Sequence, residues 1–242
     1  MITLAIPTYN RIQMVIDSFS EVIDDDRISE IVIMDDCSDI EIYQNMCLKL
    51  NKLSNSKIKI FRNKSNLGSF FNKLESVNKS SNDWVILFDS DNRLIKDYLD
   101  SIPSELDENT MYIPSHAMCD SPNLNYTKYS NKIIDINEYK TLSKIIDGCM
   151  LNTGNYLFNK DTYIKSVQTE KNIINSYALD AYYMIYLLYK NINNFKLNVV
   201  EGMKYHHHLH DNTSENEGSH YAKNANASSI LYRGMDKMIE LL

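Results

Sequence analysis

The sequence has no run of lysine or arginine gathered into a stripe, and its 25 basic residues are outnumbered by 32 acidic ones, for a formal net charge of -7. A nucleic-acid binder carries a basic footprint, so neither DNA nor RNA is expected as a partner. Cysteine is sparse: Cys37, Cys47, Cys119 and Cys149 are scattered with no CxxC pair. That argues against a zinc knuckle or a disulfide frame and predicts reduced, buried thiols. No apolar stretch reaches the roughly 18 residues of a membrane span. Met1 leads straight into the apolar run Ile2 to Ile6 and then Pro7, too short for a signal peptide and without a basic leader. These absences read as a cytoplasmic protein with, at most, a peripheral membrane association. What is present is enough apolar content, 43% of 242 residues, for one generous domain, or one domain with a small appendage, with its own core.

The first hundred residues alternate short apolar runs with helical patterns, the signature of parallel strands joined by crossover helices in an α/β sheet. Strands are expected at Ile2 to Ile6, Ile31 to Met34, Ile58 to Phe61 and Val85 to Phe88. Helical spacing recurs at Ile12, Val15, Ile16, Phe19, Val22 and Ile23, over about Ile42 to Leu53, and from Gly68 through Phe70, Phe71, Leu74 and Val77. The second half is less regular. Met111 to Pro114 and Asn155 to Phe158 read as strands, Ile136 to Ile146 as a helix, and Ala178 to Tyr189 as a buried helix apolar nearly all round. Lys196 to Val200 and Met203 to His206 read as a final pair of strands. Cys119 to Lys132 reads as a ligand-side loop, Asp211 to His220 as another loop, and Tyr221 to Leu242 as a closing helix.

Each early strand ends in a polar cluster: Pro7-Thr8-Tyr9-Asn10, Asp35-Asp36-Cys37-Ser38, Asn63 to Gly68, and Asp89-Ser90-Asp91-Asn92. Open parallel sheets bind ligands at such carboxyl ends. Asp89 and Asp91 flank Ser90 on the same side of an extended chain. The pair either holds a hard cation against a diphosphate or simply makes a polar turn. A carboxylate at Asp36 either accepts the N3 proton of a uracil or caps the following helix. Arg62, Asn63, Asn66 and Gly68 end the third strand and open a helix whose amino terminus favours an anion, whereas a plain helix start would need only Asn66 or Ser69.

Taken together these motifs resemble glycosyltransferase family 2, enzymes with the GT-A fold. The resemblance rests on Ile6-Pro7-Thr8-Tyr9-Asn10-Arg11, Ile33-Met34-Asp35-Asp36-Cys37-Ser38, Arg62-Asn63 with Asn66-Leu67-Gly68 and Asn72, and Phe88-Asp89-Ser90-Asp91-Asn92, in order over about the first 92 residues. It implies a single GT-A domain: residues 1–100 bind the nucleotide sugar, 101–210 the acceptor, and 211–242 form the loop and closing helix. It implies that Thr8, Tyr9 and Asp36 hold the nucleotide, that Arg62 lies near the base, that Asp89 meets the ribose and that Asp91 holds Mn2+ or Mg2+. Pro7, Arg11, Asn66, Gly68 and Ser90 belong to the same donor-binding motifs. Asn92 departs from the family, which often has another Asp there, and is expected to weaken metal affinity.

Inverting members of that family place a base at a Glu-Asp pair opening a buried helix. Leu179-Asp180 occupies a similar place, so Asp180 is the candidate base, with a simple helix cap as the alternative. Related enzymes also carry a metal-binding histidine near Tyr205-His206-His207-His208-Leu209-His210. His208, then His206, are the candidates; the alternative is a surface strand of polar residues. Asn152, Thr153 and Asn155 are weaker candidates for acceptor or sugar contacts. The expected reaction is inverting transfer from a nucleotide sugar, a UDP-sugar at family level, to a glycan or lipid-linked saccharide. A sugar nucleotidyltransferase would need a Gly-rich basic loop after the first strand, and a phosphatase its acidic motif after that strand. A non-catalytic nucleotide-sugar-binding module would keep the donor residues and lose the base.

Overall fold

All seven residues of β1 (Ile2–Thr8) are buried, as a parallel strand covered on both faces requires. β2 (Ile28–Asp35), β3 (Ile58–Arg62) and β4 (Trp84–Leu87) lie parallel beside it in the order β3-β2-β1-β4. The computed structural model describes residues 1–119, 125–142, 155–168 and 180–208. Alternate residues of each strand face opposite layers. Leu4, Ile6, Ile31, Ile33 and Ile86 pack with α1 (Gln13–Phe19) and α2 (Ile40–Lys52), whereas Ala5, Val85 and Leu87 pack with α3 (Ser69–Asn78).

The register decides where the site falls. Thr8 pairs with Asp35 and Asp35 with Arg62, so three strands end level. β4 ends earlier, opposite Ala5. Pro7, which has no N–H to give, faces the side from which β4 has already departed, so the proline interrupts no ladder. Because the chain leaves β1 toward β2 on one side and returns to β4 on the other, a crevice opens between β1 and β4 at the topological switch point.

The remaining strands complete an eight-stranded sheet in the order β3-β2-β1-β4-β7-β5-β8-β6. They are β5 (Thr110–Met118), β6 (Ile133–Ile134), β7 (Tyr156–Asn159) and β8 (Lys196–His206). β7 runs antiparallel to β4 and β5, β8 parallel to β5, and β6 antiparallel to β8. The expected final pair of strands is the single strand β8. Pro114 pairs with Val200 and His116 with Lys204, so three residues of β8 bulge opposite Ser115. Gly202 makes this possible with φ +77, and a Cβ there would stand 2.9 Å from Ser101 Oγ.

Two helices went unanticipated, α4 (Lys96–Asp100) and α6 (Lys160–Gln168); α5 (Ile136–Leu142) and α7 (Asp180–Asn191) fall where periodicity places them. Met184 to Tyr189 of α7 are all buried, as its apolar composition demands. Cys37, Cys47 and Cys119 are half-buried, not buried as expected. Cys149, His210, Asn152, Thr153 and residues 211–242 lie outside the described residues.

A buried carboxylate locks the sheet edge away from the crevice. Glu30 is 2% exposed and accepts from Lys59 Nζ at 2.6 Å, Thr3 Oγ1 at 2.6 Å and Ser81 N at 2.7 Å. Burial alone would push the carboxyl up, but the Lys59, Thr3 and Ser81 bonds together outweigh it, and its pKa falls below the ordinary 4.5. A lowered folded pKa stabilises above the unfolded value and is lost as pH drops through the folded one. Glu30→Gln should therefore cost about 1–3 kcal/mol in urea unfolding at pH 7, with the gap to wild type closing progressively below pH 4.5.

Candidate active site at the strand exits

The first two exits are laced together. Asn10 adopts the left-handed conformation, φ 53, which an Asn tolerates. Its N–H donates to Ser38 Oγ at 2.8 Å and its Oδ1 accepts from Asp39 N at 3.0 Å. Ser38 in turn is held by Asp35, through its hydroxyl and through its N–H at 3.1 Å. Burial pushes the Asp35 carboxyl up against the Ser38 bonds and the Arg62 charge. Arg62 stacks on the Tyr43 ring at 4.4 Å, donates to Ser38 O at 2.6 Å and stands 3.6 Å from Asp35.

Asp36 points the other way along the strand's alternation and organises the third exit. It accepts from Asn63 Nδ2 at 2.8 Å, Leu67 N at 2.9 Å and Gly68 N at 2.9 Å. The helix it serves is α3; it does not cap α2, whose N-cap is Asp39. The anion expected at the amino terminus of α3 is thus supplied by Asp36 itself, with Asn66 Oδ1 also receiving Gly68 N at 3.0 Å. Gly68 takes φ 83 to present that amide. A carboxylate offers about four acceptor positions, and these bonds use three of them on Asp36, which is 3% exposed. Asn72, 3% exposed, donates to Thr8 O and Met34 O, fastening α3 to the ends of β1 and β2.

Beyond β4 the acidic motif is a turn, not an extended segment: Asn92 N donates to Asp89 O at 3.1 Å. Asp91 Oδ2 meets Arg11 Nη1 at 2.6 Å, and Asp89 Oδ1 meets Lys73 Nζ at 3.0 Å. Each carboxylate is therefore matched by a cation from a different element, and the quartet sums to zero charge. Ser90, 2% exposed, lies beneath, whereas Tyr9 is 42% exposed at the rim. Asn155, buried at 1%, accepts Asp89 N at 3.1 Å through its Oδ1 and so anchors the motif.

Asn92 makes a long-range contact. Its Oδ1 accepts His208 N at 3.1 Å, beside the paired backbones of Arg93 and His206. It fastens the end of β8, and the histidine segment with it, to the acidic loop. His206 is half-buried and His208 exposed. Among the described residues no three His, Cys, Asp or Glu side chains form a metal-holding group by themselves. The donor set nevertheless fits a hard cation of the Mg2+ kind, which takes one or two protein ligands and completes its shell with phosphate and water oxygens. Asp180 opens α7; its side chain lies outside the described residues. Lys73, Asn10 and the anchoring role of Asn155 were missed from sequence.

The open sheet, its crevice between β1 and β4 and the acidic motif at the edge of that crevice define a GT-A glycosyltransferase fold. The glycosyl transferase family 2 model matches residues 3–166, and the chain belongs to that family. Solved structures share the fold. S. aureus TarS 1-349 in complex with UDP-GlcNAc aligns with TM-score 0.62 and 12% identity, covering 87% of this chain and 59% of that one. GalNAc-T7 with UDP, GalNAc and Mn2+ aligns with TM-score 0.63 and 14% identity over 86% and 43%. The Pyrobaculum calidifontis mannosyltransferase PcManGT, in complex with GDP-Man and Mn2+, gives 0.57 and 8% over 85% and 56%. The chain thus spans only about half the length of these solved chains. A comparison with curated proteins gives no match. No helix among the described residues is long and apolar enough to cross a membrane.

Proposed function

We propose that this chain transfers a sugar, with inversion, from a UDP-sugar to a hydroxyl of a glycan or lipid-linked saccharide. The observation that carries this reading is the convergence of four polar strand exits on one crevice, with Arg11 and Lys73 already facing Asp91 and Asp89 across it. Family membership and neighbours holding UDP-GlcNAc or UDP support the donor class.

In this reading Thr8, Tyr9, Asp36 and Arg62 receive the nucleoside, with the remaining acceptor position of Asp36 meeting an imide N–H of the base. Pro7, Asn66, Gly68 and Ser90 shape the backbone around it, and Asp89 meets the ribose. Asp91 with His208 or His206 would hold Mn2+ or Mg2+, which supplies Lewis-acid stabilisation of charge on the departing diphosphate. Asp180 takes the proton of the acceptor hydroxyl as that oxygen bonds to the anomeric carbon and the bond to the diphosphate oxygen breaks. Residues 1–100 serve the donor and 101–210 the acceptor.

The test is a panel of UDP-, GDP- and dTDP-sugars with and without Mn2+, reading release of the nucleoside diphosphate in the presence of saccharide acceptors. Metal-dependent release from a UDP-sugar is expected. Tight nucleotide binding without turnover on any acceptor would instead mark a binding module.

A further inference from the structure

The Arg11–Asp91 pair joins loops 80 residues apart across the crevice, at 2.6 Å, with the two side chains 23% and 17% exposed. We infer that Arg11 is a built-in competitor for the divalent cation at Asp91, and that nucleotide relieves this competition, so that cation and nucleotide load together. The inference rests on the proposed nucleotide-sugar site and specifies how that site fills.

The two basic partners of the motif differ in a way that singles out Arg11. Lys73 is 7% exposed and projects from the packed helix α3, so it stays with Asp89. Arg11 hangs from a short loop beside the exposed Tyr9 and after the left-handed Asn10. A guanidinium and a metal ion on one carboxylate repel each other at close range, so a cation entering at Asp91 must displace or strain the pair. In the absence of nucleotide a displaced Arg11 gives up its 2.6 Å carboxylate contact, and the cation is held weakly. A diphosphate provides one, because guanidinium matches phosphate oxygens as well as it matches carboxylate. Coupling of this kind is reciprocal: nucleotide tightens the cation by the same factor by which the cation tightens nucleotide.

The experiment is a Mn2+ titration followed by electron paramagnetic resonance on the full chain, for wild type, Arg11→Gln and Arg11→Lys, with and without UDP. Without UDP, Arg11→Gln should bind Mn2+ roughly three- to five-fold more tightly than wild type, the upper end for a partly exposed ion pair. Arg11→Lys should fall between. UDP should tighten Mn2+ more in wild type than in Arg11→Gln. Adding Asp91→Asn to Arg11→Gln should erase the gain, which locates it at this carboxylate and not at the histidine run. A merely structural role for Arg11 would weaken binding on substitution. Equal or weaker Mn2+ binding by Arg11→Gln, or no binding by either protein, overturns the inference. If the Arg11→Gln gain appears but UDP changes nothing in any protein, the nucleotide reading and the coupling fall together, while the competition at Asp91 stands.

Discussion

Replacing Asp180 by asparagine is expected to lower kcat for sugar transfer by roughly 10²–10⁴-fold, the range for loss of a positioned general base. The acceptor hydroxyl is a poor nucleophile until its proton is taken up as the new bond forms, and an amide of the same shape cannot take it. Asp180 opens α7, whose following turns are packed into the core. Donor affinity should be unaltered, because no donor-binding motif of the first hundred residues is touched. A Kd for UDP-sugar equal to that of wild type, with a low kcat, is the expected signature. Weakened donor binding with kcat preserved would remove Asp180 from the role of base.

Asp91→Ala is expected to lower kcat/KM by roughly 10²–10³-fold, comparable to removing one preorganised group that stabilises transition-state charge. The loss has two parts: a ligand for the cation disappears, and Arg11 is left facing the crevice without its 2.6 Å partner. Folding should barely notice, since ion pairs this exposed contribute about 1 kcal/mol or less. Urea unfolding midpoints near wild type, alongside the activity loss, separate a functional role from a structural one. Adding Mn2+ should not restore the variant.

How much of this was written in local sequence depends on the distance over which each interaction acts. The four parallel strands announce themselves because burial on both faces demands apolar runs, and their polar endings are equally local. Asp35 and Asp36 even carry their division of labour in plain view: neighbours on a strand face opposite ways, and one serves its own loop while the other reaches toward α3. Partner choice is different. That Lys73 turns to Asp89 rather than to water depends on how α3 sits on the sheet, and a lone lysine in an amphipathic helix looks solvated. That Asn92 clamps His208, 116 residues away, follows only once β8 is known to continue through Gly202 instead of breaking there. Read locally, the Glu201-Gly202 step looks like a turn; in the sheet it is a bulge that carries the histidines back to the acidic loop.

The most direct measurement is a crystal structure of the chain soaked with UDP and Mn2+. The diphosphate is expected in the crevice between the exits of β1 and β4, within reach of Arg11 and Asp91, with the base beside Asp36 and Arg62. Nucleotide bound at any other place, or a crevice in which the Arg11–Asp91 pair is unaltered and no diphosphate lies between β1 and β4 under saturating UDP, would contradict it.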